Sequence, residues 1–256
     1  MCFEIDSMPP VFEQPVTICG ATSLILTSSD RASFSAFRAE PKRPSGIGVI
    51  VLPDMRGLHR FYEQLAIGLA SQGHTALATD YYGRTAGTQP RDDSFPFMQH
   101  IMRVNRKTLD EDMLTAVDYL RSPEGNSCQT VLALGFCFGG RQAFFASAPR
   151  FGLAGVIGLY GAPSFYPNGA PGPTQQAADL AAPILALFGG ADPGIPPSDV
   201  AAFEAALTEN EVKHEIVTYP SAPHSFFDIK HKEYAEACSD AWKRILDFIQ
   251  TQGASG

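Results

Sequence analysis

Short apolar runs of β character alternate with longer segments of helical period along nearly the whole of this 256-residue chain. That alternation restricts it to an α/β architecture, a mostly parallel sheet covered by helices on both faces. Residues 22–26 and 34–38 read as a hairpin at the sheet edge. Residues 48–52, 75–79, 130–135, 155–159, 184–188 and 215–219 read as buried parallel strands, which makes about eight strands in all. Helical stretches fall at 61–71, 98–120, 138–148, 198–208 and 233–250, and within 110–120 the residues Leu114, Val117 and Leu120 share one side. Residues 161–182 are rich in Pro, Gly and Ala with one short helical piece, and read as a loop forming part of a pocket rim. No repeat or linker divides the chain, and a hydrophobic content of 45% supplies one large core. A single domain over 1–256 is expected, with residues 1–40 as its N-terminal edge hairpin region.

Charge narrows the range of partners. The formal net charge is −8 and Lys and Arg form no cluster, which argues against nucleic acid or an anionic membrane surface and leaves small molecules. The five cysteines, at 2, 19, 128, 137 and 238, are odd in number, scattered and without a CxxC pair, so neither a disulfide framework nor a zinc site is indicated. The first residues lack a basic n-region, and no run of ~20 apolar residues follows, so a cytoplasmic chain, monomeric or homodimeric, is expected.

Residues 135–140, Gly-Phe-Cys-Phe-Gly-Gly, place one thiol between glycines, directly after the apolar run 131–134 and before the helix-compatible run 141–148. A nucleophile held in a tight strand-to-helix turn needs neighbours without Cβ. The free N–H groups of the following helix favour a thiolate there, and later an oxyanion. The same six residues also suit a small buried cysteine in a core turn. On a sheet of this type the working residues sit on loops at the carboxyl ends of the strands, in the chain order nucleophile, acid, histidine. Asp192 follows the run 184–188 within Gly-Ala-Asp-Pro-Gly-Ile-Pro, and His224 follows the run ending at Tyr219 within Ala-Pro-His-Ser-Phe. A turn aspartate and a structural loop histidine are the plainer alternatives. His74, His100, His214 and His231 read as surface or packing residues, and His59 as pocket wall. No Gly-x-Ser-x-Gly, HExxH, P-loop or GxGxxG sequence is present.

Together these three blocks resemble the nucleophile, acid and histidine segments of the dienelactone hydrolase family. The block Val49 to Gly57 and the segment Thr79-Asp80-Tyr81-Tyr82-Gly83-Arg84 extend the resemblance across about residues 45–250. It implies an α/β-hydrolase fold, a Cys137–Asp192–His224 triad, no metal or organic cofactor, and cleavage of lactones or other carboxylic esters through a thioester. In that topology the oxyanion is held by the backbone N–H groups of Phe138 and Met55. Asp54, Arg84, Tyr160 and Ser225 are the candidate substrate contacts.

The chain also departs from the family pattern. Asp54 stands where the family carries a glutamate that contacts the resting thiol. Asp228 stands near the position of an arginine that pairs with a substrate carboxylate. A second such arginine has no unambiguous counterpart, with Arg84, Arg91 and Arg103 as candidates. Tyr81, Tyr82, Phe95, Phe97, Tyr160, Phe165 and Phe226 suit an apolar pocket or the core. An alternative from another class is a non-hydrolytic protein of the same fold that senses oxidants or electrophiles through Cys137.

Overall fold

The computed structural model describes residues 6–10, 18–92, 94–166, 168–227 and 232–254. Eight strands form one sheet in the order β1-β2-β4-β3-β5-β6-β7-β8. The strands are β1 (Ile18–Thr27), β2 (Ser33–Pro41), β3 (Ile47–Leu52), β4 (Thr75–Thr79), β5 (Thr130–Phe136), β6 (Gly155–Leu159), β7 (Ile184–Gly189) and β8 (His214–Tyr219). β1 and β2 pair antiparallel, β2 joins β4 antiparallel, and the remaining strands run parallel. The expected edge hairpin and parallel strands are therefore present, but β8, expected to be buried, has no buried residue because it forms the other edge of the sheet. β3 through β7 are buried at every residue, as strands covered on both sides must be, whereas β1 at the edge is mostly exposed.

Seven α-helices connect and cover the sheet among the described residues: α1 (Arg60–Ser71), α2 (Gly83–Ala86), α3 (Phe97–Ile101), α4 (Arg106–Arg121), α5 (Phe138–Ala146), α6 (Pro197–Glu209) and α7 (Ala235–Gly253). Glycines on β6 show the two covered faces. A Cβ on Gly155 would meet Phe248 of α7, and one on Gly158 would meet Phe144 of α5. Positions three apart on a strand point to opposite faces, so α7 and α5 lie on opposite sides of the sheet.

The helix expected over 98–120 is two helices. Asn105 interrupts it with extended backbone, φ −127° and ψ 155°, and its side chain accepts from Thr108 N to cap α4. An Asn side chain competes for backbone donors more effectively at a cap than within a helix, and this outweighs the apolar period that runs across the break. The described residues of 161–182 form a loop, with a 3₁₀ piece over Thr174–Asp179. α2 follows β4 directly and has no periodic signal, because four residues are too few to show one.

Candidate active site

β5 ends at Phe136 and α5 begins at Phe138, leaving Cys137 alone at the elbow with φ 54° and ψ −112°. That conformation is sparsely populated for a residue with a side chain, at a cost on the order of 1–3 kcal/mol, and the surroundings enforce it. The Cys137 N–H donates to Leu159 O at 3.0 Å, and the Cys137 carbonyl accepts from Arg141 N at 3.1 Å. Gly139 makes the elbow possible, because a Cβ there would overlap the carbonyl oxygens of Leu52 and Pro53. The first turn of α5 thus rests directly on the chain leaving β3. Cys137 is partly exposed, whereas Cys128 and Cys238 are buried.

The acid and the base arrive from neighbouring strand ends. Asp192 follows β7 in a turn where its Oδ1 accepts from Gly194 N at 2.8 Å. Its Oδ2 meets His224 Nδ1 at 2.5 Å. His224 is also hydrogen-bonded to the Cys137 side chain, so the three residues form one chain of contacts. Burial pulls the His224 imidazole down, but the hydrogen bond to Asp192 and then the contact with Cys137 outweigh it and raise the group from 6.5 to about 9. Burial likewise works to raise Asp192, and the bond from His224 overrides it to hold the carboxyl below 3.8. The Tyr160 ring lies 5.1 Å from the His224 ring. Tyr160 and Ser225, the residue after His224, both take positive φ, 39° and 58°. Both side chains are almost wholly buried.

The turn after β3 is built around Asp54. Its backbone N–H donates to Tyr62 Oη at 2.9 Å, its Oδ1 accepts from Arg56 N at 2.8 Å, and its carbonyl accepts from Gly57 N at 3.1 Å. Asp54 is 1% exposed, and its carboxylate shapes the turn that carries Met55. Tyr81 packs edge-on against Phe138 at 5.2 Å and donates to Pro53 O at 2.7 Å, which ties this turn to the elbow.

Asp80 fastens the other side, and sequence reasoning gave it no role. It accepts from Leu58 N at 3.0 Å, from Tyr82 N at 2.9 Å and from both terminal nitrogens of Arg91 at 2.7 Å. Tyr82 in turn donates to Met55 O. An aspartate between a strand and two tyrosines carries no local signal of such a hub, since apart from Tyr82 its partners Arg91 and Leu58 lie 11 and 22 positions away.

Other expected residues lie elsewhere. The Arg84 guanidinium is taken up by Asp30 at 2.9 Å and by Asp112, joining the β1–β2 turn to α4 and α2. Arg91 is held by Asp80, and Arg103 is exposed to solvent. Phe226 is fully buried against Tyr160 and Tyr219 and belongs to the core. Tyr82 is also fully buried, and Phe165 is exposed. His59 caps α1, its Nδ1 accepting from Phe61 N at 3.4 Å; burial, then the Arg56 charge, push it down to about 4. His74 bonds Ser45, His100 bonds Thr85, and His214 bonds the Val212 carbonyl. Cys2, Asp228 and His231 lie outside the described residues. A cavity between α4, α5 and the sheet is lined by Leu52, Tyr81, Arg106, Met113 and Gln142, and neither Cys137 nor His224 lines it. Among the described residues no helix is long and apolar enough to cross a membrane.

A strained residue on a strand-to-helix elbow, with a histidine and an aspartate brought from later strand ends of a mostly parallel sheet, defines the α/β-hydrolase class. Residues 34–253 match the model of the dienelactone hydrolase family. The chain belongs to that family, and is by class a carboxylic-ester hydrolase. It is 31% identical over 248 residues to a Salmonella typhimurium protein named "Putative carboxymethylenebutenolidase", covering 93% of this chain and 91% of that one. A relative of the same name from Escherichia coli is 29% identical over 244 residues, covering 92% and 88%. The crystal structure of a "Putative Dienelactone Hydrolase" from Klebsiella pneumoniae superposes with a TM-score of 0.76 at 26% identity, over 90% of this chain and 99% of that chain.

Proposed function

We propose that this chain hydrolyses lactones or other activated carboxylic esters with Cys137 as nucleophile, His224 as acid and base, and Asp192 as the group that orients His224. The observation that carries the reading is the unbroken contact chain from the elbow thiol through His224 to Asp192. An imidazole held up at about 9 between two anionic partners favours a thiolate–imidazolium pair. The thiolate adds to the ester carbonyl, and the oxyanion forms within reach of the Phe138 and Met55 N–H groups. Losing one such donor typically costs ~2.7–4 kcal/mol of transition-state stabilisation. Collapse expels the alcohol, which takes its proton from His224 and leaves a thioester on Cys137. Neutral His224 then draws a proton from water as that water attacks the thioester, and the thiolate departs with the carboxylic acid formed. Thiolate leaves a tetrahedral intermediate more readily than an amine does, so esters and lactones are favoured over amides. The activity calls for no cofactor, and the reading carries with it a cytoplasmic setting and a monomer or homodimer.

Steady-state hydrolysis of aryl esters and small lactones by wild type and Cys137→Ala tests this reading. Sustained turnover by wild type alone supports it. Equal turnover by the variant refutes it, and a single stoichiometric burst that stops on Cys137 favours the thiol-sensor alternative.

A further inference from the structure

An oxyanion donor is effective only when it points at the place where the charge develops. A backbone N–H is aimed by its peptide plane alone, and that plane turns with the two dihedrals on either side of it. A turn leaving a strand is soft in this respect unless the neighbouring peptides are held.

In the turn after β3 they are held. Asp54 N donates to Tyr62 Oη at 2.9 Å, Arg56 N to Asp54 Oδ1 at 2.8 Å, Gly57 N to the Asp54 carbonyl at 3.1 Å and Leu58 N to Asp80 Oδ1 at 3.0 Å. Within this stretch Met55 N alone meets no acceptor among the described residues. Every neighbouring N–H is committed to the protein, and the one left over is the proposed oxyanion donor.

Three of the groups that fix this pattern are tyrosine hydroxyls. Tyr62 Oη takes the Asp54 N–H, Tyr81 Oη donates to the Pro53 carbonyl at 2.7 Å, and Tyr82 Oη donates to the Met55 carbonyl. The Pro53–Asp54 peptide is therefore held at both its oxygen and its nitrogen. The Met55–Arg56 peptide is held in the same way, by Tyr82 and the Asp54 carboxylate. The plane between them, which carries the Met55 N–H, has no freedom to flip.

The tyrosines reach this turn from outside it, Tyr62 from α1 and Tyr81 and Tyr82 from the end of β4, and all three are buried. A buried ring that served packing alone would do better as phenylalanine, because a phenol hydroxyl has to be taken out of water. Tyr81 also packs edge-on against Phe138 at 5.2 Å, so one side chain touches the segments of both proposed donors. Burial first, then the neighbouring Tyr82, Asp54, Asp80 and Cys137, push the ionisation of Tyr81 well above the ordinary 10, and its hydroxyl keeps the proton it donates.

We propose that Tyr62, Tyr81 and Tyr82 are positioning residues for ester hydrolysis, a clamp of three hydroxyls that aims the Met55 N–H at the developing oxyanion. The proposal rests on the hydrolase reading above and concerns its oxyanion side. Each hydroxyl acts through the main chain and not by touching the substrate.

The test compares two reactions of Cys137 in wild type, Tyr62→Phe, Tyr81→Phe and Tyr82→Phe, each of which removes one hydroxyl and keeps the ring. One reaction is steady-state hydrolysis of p-nitrophenyl acetate, which passes through an oxyanion in both acylation and deacylation. The other is alkylation by iodoacetamide, followed by mass spectrometry of the Cys137 peptide; the thiolate displaces iodide at a saturated carbon and no oxyanion forms. Each variant should lose about tenfold in kcat, part of the ~10²–10³ that loss of a whole oxyanion donor costs, at nearly unchanged KM. Alkylation should stay within about twofold of wild type, because the thiol and His224 are untouched. A variant whose melt shows it unfolded is set aside, and the other two decide. Parallel loss of hydrolysis and alkylation overturns the proposal, since the hydroxyls then serve the thiol or the fold. A kcat within about twofold of wild type in the folded variants overturns it as well and leaves the hydrolase reading standing. Absence of ester turnover in wild type removes the hydrolase reading and the clamp with it.

Discussion

Replacing Asp192 with Asn removes a charge and keeps the shape of the side chain. His224 meets Asp192 at 2.5 Å and is held at about 9 against an ordinary 6.5. At roughly 1.36 kcal/mol per pH unit, that difference is worth about 3 kcal/mol in favour of the imidazolium. The hydrogen bond from His224 to Asp192 is the largest single cause of that rise, so removing the Asp192 charge takes back a substantial part of it. The imidazolium holds the thiolate and protonates the departing alcohol, so wild-type kcat/KM for an aryl ester should persist until His224 loses its proton near pH 9. In Asp192→Asn the alkaline fall should begin at least about one pH unit lower, and the rate at neutral pH should drop tenfold or more. Stability should move in the matching direction. A folded value raised above the unfolded one gives stabilisation that is complete below about pH 6.5 and is lost as pH rises through about 9. Wild-type melting temperature should decline across that window, and the decline should be shallower in the variant. An alkaline limb still near 9, with rates within about twofold of wild type, would refute the reasoning.

Other outcomes follow from the same contacts. Gly139→Ala should force α5 away from the Leu52 and Pro53 carbonyls, lowering stability by about 1–3 kcal/mol and kcat by about a hundredfold, read from denaturant melts and steady-state kinetics. Arg91→Ala should leave the Asp80 carboxylate buried without its cation, at about 3–5 kcal/mol of stability, and should lower kcat more than it raises KM as the Met55 turn loosens. Arg91→Lys should recover part of both, because it returns the charge but not the two-pronged geometry. An Arg91→Ala protein as stable as wild type would show that Asp80 is satisfied by its two N–H donors alone.

The strands were legible because buried parallel strands write themselves as short unbroken apolar runs; 75–79 and 155–159 match to the residue, and the others shift by a few residues at most. The division of 98–120 was not, since the apolar period continues across Asn105 while a single side-chain cap decides the break. Cys137, Asp192 and His224 stood out because each follows a strand and is flanked by glycine or proline, which the backbone needs at such turns. Arg84 and Arg91 could not be ranked the same way. Which arginine is neutralised depends on carboxylates that come from other parts of the chain, Asp30 and Asp112 for Arg84 and Asp80 for Arg91. The strain at Tyr160 and Ser225 was equally hidden, because neither residue type advertises a positive φ.

At Gly139, α5 meets the bare carbonyls of Leu52 and Pro53 at the end of β3. Where helix and strand touch through main-chain atoms alone, no exchange of side chains can lengthen or shorten the span between the thiol and the Met55 turn; peptide geometry dictates it. Divergence in substrate choice has to be written at the borders of that span, in the turn after β3 and at Tyr160 after β6, whose ring lies 5.1 Å from that of His224. A designer who wishes to redirect this enzyme would therefore vary those borders and leave the junction of β3 and α5 untouched.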